Sequence, residues 1–231
     1  MPLAQACEAD CLAFLATPGW SSETARSVRS TLRSFYTWAA DTGRLTTNPA
    51  VRLPVIHEKP PLPHPLPEAE YQRALDEAPN PWRIGIRLAG EAGLRRSEVA
   101  QVARADLFRD LFGVSLRVHG KGGKERAVPL NESLGVELRT WLRGHVWLFP
   151  SGTTSTHLTP DYVAKRIRQY LPPEWSMHSL RHRFATVAYA RTSDIRAVQE
   201  LLGHANLNTT QRYVAMPVQR LRAVASTARA A

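Results

Sequence analysis

The sequence lacks the features that mark membrane and secreted proteins. It has no run of about 18 apolar residues, the length that spans a bilayer. Its first ten residues, MPLAQACEAD, lack the basic-then-apolar layout of a signal peptide. We therefore expect a soluble, cytoplasmic protein that has no membrane partner.

Cysteine is also scarce, and the usual nucleotide and metal motifs are missing. Cys7 and Cys11 lie one helical turn apart, and a metal site that joins them to His57 and His64 matches no usual zinc spacing. The simpler interpretation is two small residues on one helix face. The glycine-rich HGKGGKE lacks the Gly-Lys-Ser/Thr that opens a helix in a nucleotide-binding P-loop. We expect neither a metal nor another cofactor.

Lysine is rare, so arginine carries nearly all of the positive charge. The formal net charge is +10, and residues 1–58 balance five arginines against five acids, which places the whole excess in residues 59–231. A basic balance of this size indicates a polyanionic partner such as a nucleic acid. The four lysines are Lys59, Lys121, Lys124 and Lys165.

Proline marks a boundary between two domains. Five prolines fall within eight residues of the stretch EKPPLPHPLPEAE, which excludes a helix or a central strand and predicts a semi-rigid linker. We place this linker at residues 59–67, between a helical domain (1–58) and a second domain with a C-terminal tail helix (68–231).

Before the linker, residues 21–43 predict one amphipathic helix that Gly43 ends. A solvated face is the ordinary interpretation of its basic stripe, and contact with the DNA backbone is the alternative. The predicted apolar stripe consists of Val28, Leu32, Phe35 and Ala39, and the basic stripe contains Arg26, Arg29 and Arg33.

After the linker the pattern is mainly helical with one β hairpin. Helices are predicted over 68–78, 81–93 and 97–104, and VSLRV and RAVPL flank the glycines of HGKGGKE, which suit a tight hairpin turn. Asn131 and Thr159 are predicted helix caps, and further helices are expected from His178, Asp194 and Asn208.

Five places in the second domain suit phosphate chemistry, and each also has an ordinary structural interpretation. Arg95 and Arg96 precede a helix start, where guanidinium groups and the helix dipole favour an anion. A lysine on the hairpin has the reach to protonate a leaving group. His178 and Arg181 share one helix face at i and i+3. The ordinary interpretation of the two arginines is a surface pair, and that of the hairpin is an exposed turn. The last two places are His204, ordinarily a helix terminus, and Tyr213, ordinarily a packed side chain.

The order of these motifs resembles the tyrosine recombinase (phage integrase) family. Gly-Leu-Arg-x-Ser-Glu (93–98) is followed by Gly-Lys-Gly-x-Lys-Glu-Arg (120–126) and His-x-Leu-Arg-His (178–182). Leu-Leu-Gly-His (201–204) then precedes a tyrosine by nine residues. Four ordered motifs with this spacing are highly specific, and residues 21–54 resemble the family's core-binding domain.

The resemblance implies a role for each residue of the site. Tyr213 is the expected nucleophile on a DNA phosphate, and neither ATP nor a metal is required. Arg95 competes with Arg96 and Lys121 with Lys124 for their roles, and in each pair the family frame favours the first. Glu98 is expected to support the arginine. The expected catalytic residues are Arg95, Lys121, His178, Arg181, His204 and Tyr213, and the expected DNA-binding residues are Arg26, Arg29, Arg33 and Lys124.

The resemblance also implies an architecture and partners. It predicts a mainly α protein with a small antiparallel sheet: a helical, SAM-like core-binding domain of four or five helices and an integrase-type catalytic domain, clamped around double-stranded DNA. A homotetramer at core-type att sites is expected, with the tail helix, anchored by Val218 and Leu221, docked into a neighbouring protomer. A directionality factor or a host DNA-bending protein is a further possible partner. Only about twenty residues precede the first basic helix, so we expect a minimal integrase without an arm-type DNA-binding domain.

Three alternatives stay open at this point. A chromosome-dimer resolving recombinase shares all of these motifs. A type IB topoisomerase-like enzyme shares the catalytic residues but relaxes supercoils as a monomer. A non-catalytic DNA-binding relative would have lost one of the six site residues, and all six are present here.

Overall fold

The chain divides into two compact units, Met1–Pro60 and Pro61–Ala231. The computed structural model describes residues 3–57, 64–152 and 155–203, with the side chain of Lys121 left out. Both units are mainly helical, and the second contains a small antiparallel sheet. The predicted fold class is confirmed.

The first unit contains fewer helices than the sequence predicted. Within residues 3–57 the structure has two α-helices, α1 (Glu8–Leu15) and α2 (Ser22–Asp41), and a 3-10 turn (Leu3–Gln5). The expectation of four or five helices is wrong for this part of the chain. Gly43, at φ +67°, ends the helical run, and the Asn48 side chain accepts from the Ala50 amide at 2.8 Å in the loop that follows.

The buried face of α2 is centred on Tyr36. The Tyr36 side chain is 1% exposed and donates to the Leu3 carbonyl at 3.1 Å, whereas Phe35, predicted to be buried, is 36% exposed. The buried stripe is therefore rotated from the predicted one. Arg29, predicted to lie on the opposite face, is half-buried and donates to the Leu53 carbonyl at 2.9 and 3.2 Å.

The second unit is built mainly of helices. The predicted caps Asn131 and Thr159 each accept from a backbone amide of the helix that follows, and Asp194, where a helix was expected to begin, does the same. These bonds satisfy amides that the first turn leaves unpaired. The helices are α3 (Glu68–Glu77), α4 (Trp82–Glu91), α5 (Arg96–Ala100), α6 (Glu132–Leu142), α7 (Pro160–Arg168), α8 (Met177–Thr192) and α9 (Ile195–Leu202).

Three antiparallel strands form one sheet in the order β1 (Leu107–Arg109), β2 (Val114–His119), β3 (Glu125–Pro129). The predicted hairpin is the β2–β3 pair, in which Val118 lies opposite Arg126. Its connection spans 120–124 and contains a 3-10 turn (Lys121–Gly123), so it is longer than the tight turn we predicted. The sequence did not predict β1, because its three residues are too few to show an alternating pattern.

The core of the second unit surrounds α4. Ile84, Ile86 and Leu88 are 0% exposed, because α4 packs against α3, α5, α6, α7 and α8. Leu66, near the end of the predicted linker, is 2% exposed in the same core. Among the described residues, no helix combines the length and apolarity needed to cross a membrane.

Candidate active site

Arg95 is held at the start of α5 by a glycine turn. Gly93 has φ +71°, and a Cβ there would lie 2.5 Å from the Phe184 ring, so both the conformation and the space require glycine. Arg95 is the residue before the helix, and its side chain is 39% exposed. The turn therefore presents the Arg95 guanidinium at an accessible helix N-terminus.

Arg181 and His178 project from one face of α8, as predicted from their spacing. Arg181 is 3% exposed and donates to the Gly93 carbonyl through Nη1 and to the Leu202 carbonyl through Nη2, the latter at 2.7 Å. His178 is exposed, and its ring centroid lies 4.4 Å from that of His182. The helix thus supplies one buried, fixed guanidinium and one accessible imidazole.

Glu98 is the centre of an arginine cluster. It is 4% exposed and accepts from Arg95 Nη1 at 2.7 Å and from Arg126 Nη1 and Nη2 at 2.8 and 2.9 Å. Arg181 Nη1 lies 3.9 Å away. We call Arg95, Glu98, Arg126 and Arg181 the Glu98 network. The expectation that Glu98 supports the arginine is confirmed.

The ionisation of Glu98 follows from these contacts. Burial alone would raise the pKa of this carboxyl group, but hydrogen bonds from Arg126 and from the Arg95 amide and side chain outweigh it and lower the pKa to about 2. Glu98 is therefore a carboxylate at neutral pH. It stabilises guanidinium groups and is unsuited to act as a base.

The end of α9 is tied to the same arginines. Three successive carbonyls accept from three members of the Glu98 network: Leu201 from Arg126 at 2.8 Å, Leu202 from Arg181 at 2.7 Å and Gly203 from Arg95 at 3.1 Å. The last carbonyls of a helix carry partial negative charge, so cations stabilise them. The network therefore fixes the point from which the chain continues to His204 and Tyr213, which both lie outside the described residues.

A cleft of about 660 Å³ lies beside the network. Its wall is strongly basic, and α7 supplies two cations, Lys165 and Arg168, that the sequence analysis did not select. Arg96, on the rim, pairs with Asp161 at 2.9 Å. The lining residues are Arg95, Arg96, Ser97, Ala164, Lys165, Arg168, Ser176, Met177, His178 and Arg181.

Arg126 is a further site residue that sequence reasoning missed. Arg126 belongs to a motif that carries the family resemblance, but its role does not follow from the motif, because its partners lie 28 and 75 positions away. The one available signal was an arginine in a β-strand, two residues before the apolar Val128. Lys165 and Arg168 had only the weaker signal of a basic helix end.

The remaining predicted residues have mixed placements. Arg26, Arg33 and Lys124 are exposed, whereas Arg29 is partly occupied by the Leu53 carbonyl. The side chain of Lys121 lies outside the described residues. Within the described ranges, no group of three or more His, Cys, Asp or Glu residues is placed to hold a metal ion.

Two guanidinium groups on a buried carboxylate, beside a basic cleft, suit the binding of a phosphodiester, because planar arginine donors match phosphate oxygens. Comparison with known proteins makes this specific. Residues 65–220 match the phage integrase family. The tyrosine recombinase XerC of Rhodospirillum centenum is 36% identical over 240 residues, covering 94% of this chain and 69% of its own length.

Other similar proteins agree with this assignment. The tyrosine recombinase XerD of Caulobacter vibrioides is 33% identical, covering 92% of this chain and 77% of its own length. The post-cleavage complex of the XerH recombinase with a palindromic difH substrate has a TM-score of 0.78 at 27% identity, covering 97% of this chain and 70% of that one. A λ integrase tetramer on a Holliday junction shares the fold at a TM-score of 0.72 and 20% identity, covering 93% and 66% of the two chains. The chain belongs to the phage integrase family, and it is a site-specific tyrosine recombinase that cleaves and rejoins DNA.

Proposed function

We propose that Tyr213 attacks a scissile DNA phosphate in line, forming a 3′-phosphotyrosyl bond and releasing a 5′-hydroxyl. A second 5′-hydroxyl then attacks the phosphotyrosine and restores both the DNA backbone and the tyrosine. Each phosphodiester is exchanged for another ester, so no external energy source is needed. The observation that carries this proposal is the convergence of Arg95, Arg181 and His178 on one basic cleft.

Arg95 and Arg181 bind the non-bridging oxygens and stabilise the pentavalent transition state. Glu98 and the carbonyls of Gly93, Leu202 and Gly203 hold the two guanidinium groups before DNA arrives. Donors that are fixed in advance need no reorganisation during the reaction. By analogy with oxyanion donors, each arginine contributes ~10²–10³ in rate.

Three residues handle protons and the phosphate around these arginines. His178 assists removal of the Tyr213 proton as the tyrosine oxygen bonds to phosphorus. Lys121 gives a proton to the 5′-oxygen as the bond from phosphorus to that oxygen breaks. His204 donates a hydrogen bond to the phosphate. A lysine ammonium suits the acid role, because it stays charged near a phosphate until it is used.

Residues of both units bind the phosphate backbone outside the scissile position. Arg26, Arg29 and Arg33 of the first unit and Lys124 of the second make these contacts at core-type att sites. The exposed placement of Arg26, Arg33 and Lys124 supports the proposal, while the bond from Arg29 to Leu53 limits that residue to a smaller share. Binding through phosphates should weaken steeply with salt.

Recombination needs four active sites, and we propose a homotetramer assembled on double-stranded DNA. The tail after Tyr213 would dock into a neighbouring protomer through Val218 and Leu221, and a directionality factor or a DNA-bending protein would bias the direction of exchange. The fold shared with the λ integrase tetramer on a Holliday junction supports an assembly of this kind.

The test uses nicked duplexes tiled across the DNA that flanks the gene. A nick beside the scissile phosphate lets the short 5′-hydroxyl fragment diffuse away, which traps the covalent complex. We expect an SDS-resistant adduct on one sequence and its loss in Tyr213→Phe. Salt-sensitive binding without an adduct on any duplex would instead indicate a non-catalytic DNA-binding relative.

A chromosome-dimer resolving recombinase is a second candidate. The relatives named XerC and XerD match over more than nine-tenths of the chain, and the XerH structure was solved with a difH substrate. The chemistry is the same for both candidates, so they are distinguished by the DNA sequence on which the adduct forms. An adduct on a chromosomal site distant from the gene, and none on flanking DNA, would favour this candidate.

A further inference from the structure

Arg126 joins three elements that each carry part of the site. From β3 it makes two hydrogen bonds to Glu98 on α5 and one to the Leu201 carbonyl at the end of α9, all between 2.8 and 2.9 Å. Its side chain is 15% exposed, and it is not among the residues that line the cleft. Arg126 therefore acts on residues of the site and not on the phosphate itself.

The position of Arg126 on the strand matters for Lys121. Arg126 lies opposite Val118, which is 2% exposed, so both face the core side of the hairpin. Lys121 lies in the connection between these two positions, three residues after Val118 and five before Arg126. The Arg126–Glu98 pair thus anchors the base of the hairpin that carries Lys121 to the helix start that carries Arg95.

The geometry of this anchor is specific to arginine. Three N–H groups of one planar guanidinium reach two carboxylate oxygens and one carbonyl. A lysine ammonium offers a point charge on a flexible stem, so it keeps the charge while losing the paired geometry. Replacing arginine by lysine therefore tests orientation separately from charge.

We propose that Arg126 is a positioning residue that sets the Lys121 hairpin in register with the phosphate held by Arg95 and Arg181. This inference rests on the proposed function, in which Lys121 protonates the leaving 5′-oxygen. When the anchor is lost, Arg95 keeps its bonds to Glu98 and Gly203, and Arg181 keeps its bonds to Gly93 and Leu202. We therefore expect the main defect in leaving-group protonation.

The experiment compares two nicked duplexes that differ in one atom, the bridging 5′-oxygen of the scissile phosphate or a sulfur in its place. A thiol has a pKa near ~8.5, so a thiolate leaves without being protonated and the sulfur duplex does not need Lys121. Single-turnover adduct formation is measured for the wild type, Lys121→Met, Arg126→Lys and Arg126→Met. Arg117→Met, an exposed arginine on the neighbouring strand, is the matched control.

General acid catalysis contributes ~10²–10⁴ in rate, so we expect Arg126→Lys to slow the oxygen duplex by ~10–10². The sulfur duplex should react at nearly the wild-type rate, as it should with Lys121→Met, and Arg117→Met should change neither. The ratio of the two rates is taken on one preparation, so it does not depend on how much of a variant is folded.

Two results would overturn this inference while leaving the proposed function intact. One is equal slowing of the oxygen and sulfur duplexes by Arg126→Lys, which would place Arg126 on the tyrosine or phosphate side of the reaction. The other is wild-type rates on both. Failure of the wild type to form an adduct with either duplex would instead reject the proposed function itself.

Discussion

Two carboxylate–arginine networks among the described residues of the second unit have similar contacts but differ in the exposure of their arginines. One is the Glu98 network. The Glu91 network consists of Tyr71, Arg87, Glu91 and Arg183. Arg87 donates to both oxygens of Glu91 at 2.9 Å, the Tyr71 hydroxyl donates to Glu91 at 2.9 Å, and the Arg183 guanidinium lies 3.7 Å from the Tyr71 ring centroid.

The networks differ in what their arginines reach. The Arg87 and Arg183 side chains are each 11% exposed, whereas the Arg95 side chain is 39% exposed and lines the basic cleft. Burial raises the pKa of Tyr71, and the Glu91 carboxylate beside it adds to the effect, so Tyr71 remains a donor. The Glu91 network therefore leaves its arginine side chains mostly buried, whereas the Glu98 network leaves Arg95 exposed at the basic cleft.

The largest expected difference between the networks is in catalysis, and two arginines on α8 test it. Arg181→Lys should lower the rate of adduct formation by ~10²–10³, because an ammonium group cannot replace the planar donors. Arg183→Lys should leave the rate of the folded protein unchanged and lower the urea midpoint instead. Similar losses of rate in both variants would show that the networks are not functionally distinct.

The next largest effect is on stability. Glu98→Gln should lower the free energy of unfolding at pH 7 by ~3 kcal/mol, the value that corresponds to a pKa drop from 4.5 to about 2. Because the folded pKa is depressed, this stabilisation is present above about pH 4.5 and is lost as the pH falls toward 2. Urea unfolding of wild type and variant should therefore converge in acid.

Glu91→Gln is the matched control for that series. Burial alone would raise the pKa of Glu91, but bonds from Arg87 and Asn131 outweigh it and lower the pKa. The variant should therefore lose stability at neutral pH without losing adduct formation by the folded protein. A slower rate of adduct formation by the folded Glu91→Gln protein would contradict the division of roles.

A smaller effect is expected from crowding the Glu91 network. A Cβ on Gly90 would lie 2.6 Å from Tyr71 Cε2, and the ring has the Arg183 guanidinium above it. Gly90→Ala should therefore cost ~1–3 kcal/mol in unfolding free energy despite the better helix propensity of alanine. Thermal or urea unfolding measures it, and Gly144→Ala, which meets open space, is the control.

The smallest effect is expected at the neighbour of Arg95. Arg96 and Asp161 form an ion pair with side chains 60% and 83% exposed, so Arg96→Gln should change the unfolding free energy by less than ~1 kcal/mol. Arg95→Gln removes a contact with buried Glu98 and should cost more in the same urea series. A larger loss of unfolding free energy in Arg96→Gln than in Arg95→Gln would mean that Arg96 contributes more to stability than Arg95.

Much of the site could be predicted because its motifs are local. The i, i+3 spacing of His178 and Arg181 placed both on one helix face, and the Gly93 turn placed Arg95 at a helix start. Glu98 was expected to support Arg95, three residues away, within the reach of one helical turn. The predicted caps at Asn131 and Thr159 were equally local, since each side chain bonds an amide three residues away.

The errors arose where tertiary packing overrode the local pattern. Phe35 fits the apolar stripe of its helix, but the buried residue is Tyr36, whose hydroxyl donates to the Leu3 carbonyl. Arg29 has the spacing of a basic stripe and instead donates to Leu53. Neither partner lies within the helix, so no periodicity reveals them.

By itself the sequence determined the family and the helical frame, and it predicted six catalytic residues, because these follow from short spacings along the chain. The tertiary structure decided how those residues are held together. Arg126 bonds Glu98 and Leu201, and the carbonyls of Leu202 and Gly203 accept from Arg181 and Arg95, across separations of 21 to 108 residues. A charge buried among such partners is stable only when the fold brings all of them within hydrogen-bond distance.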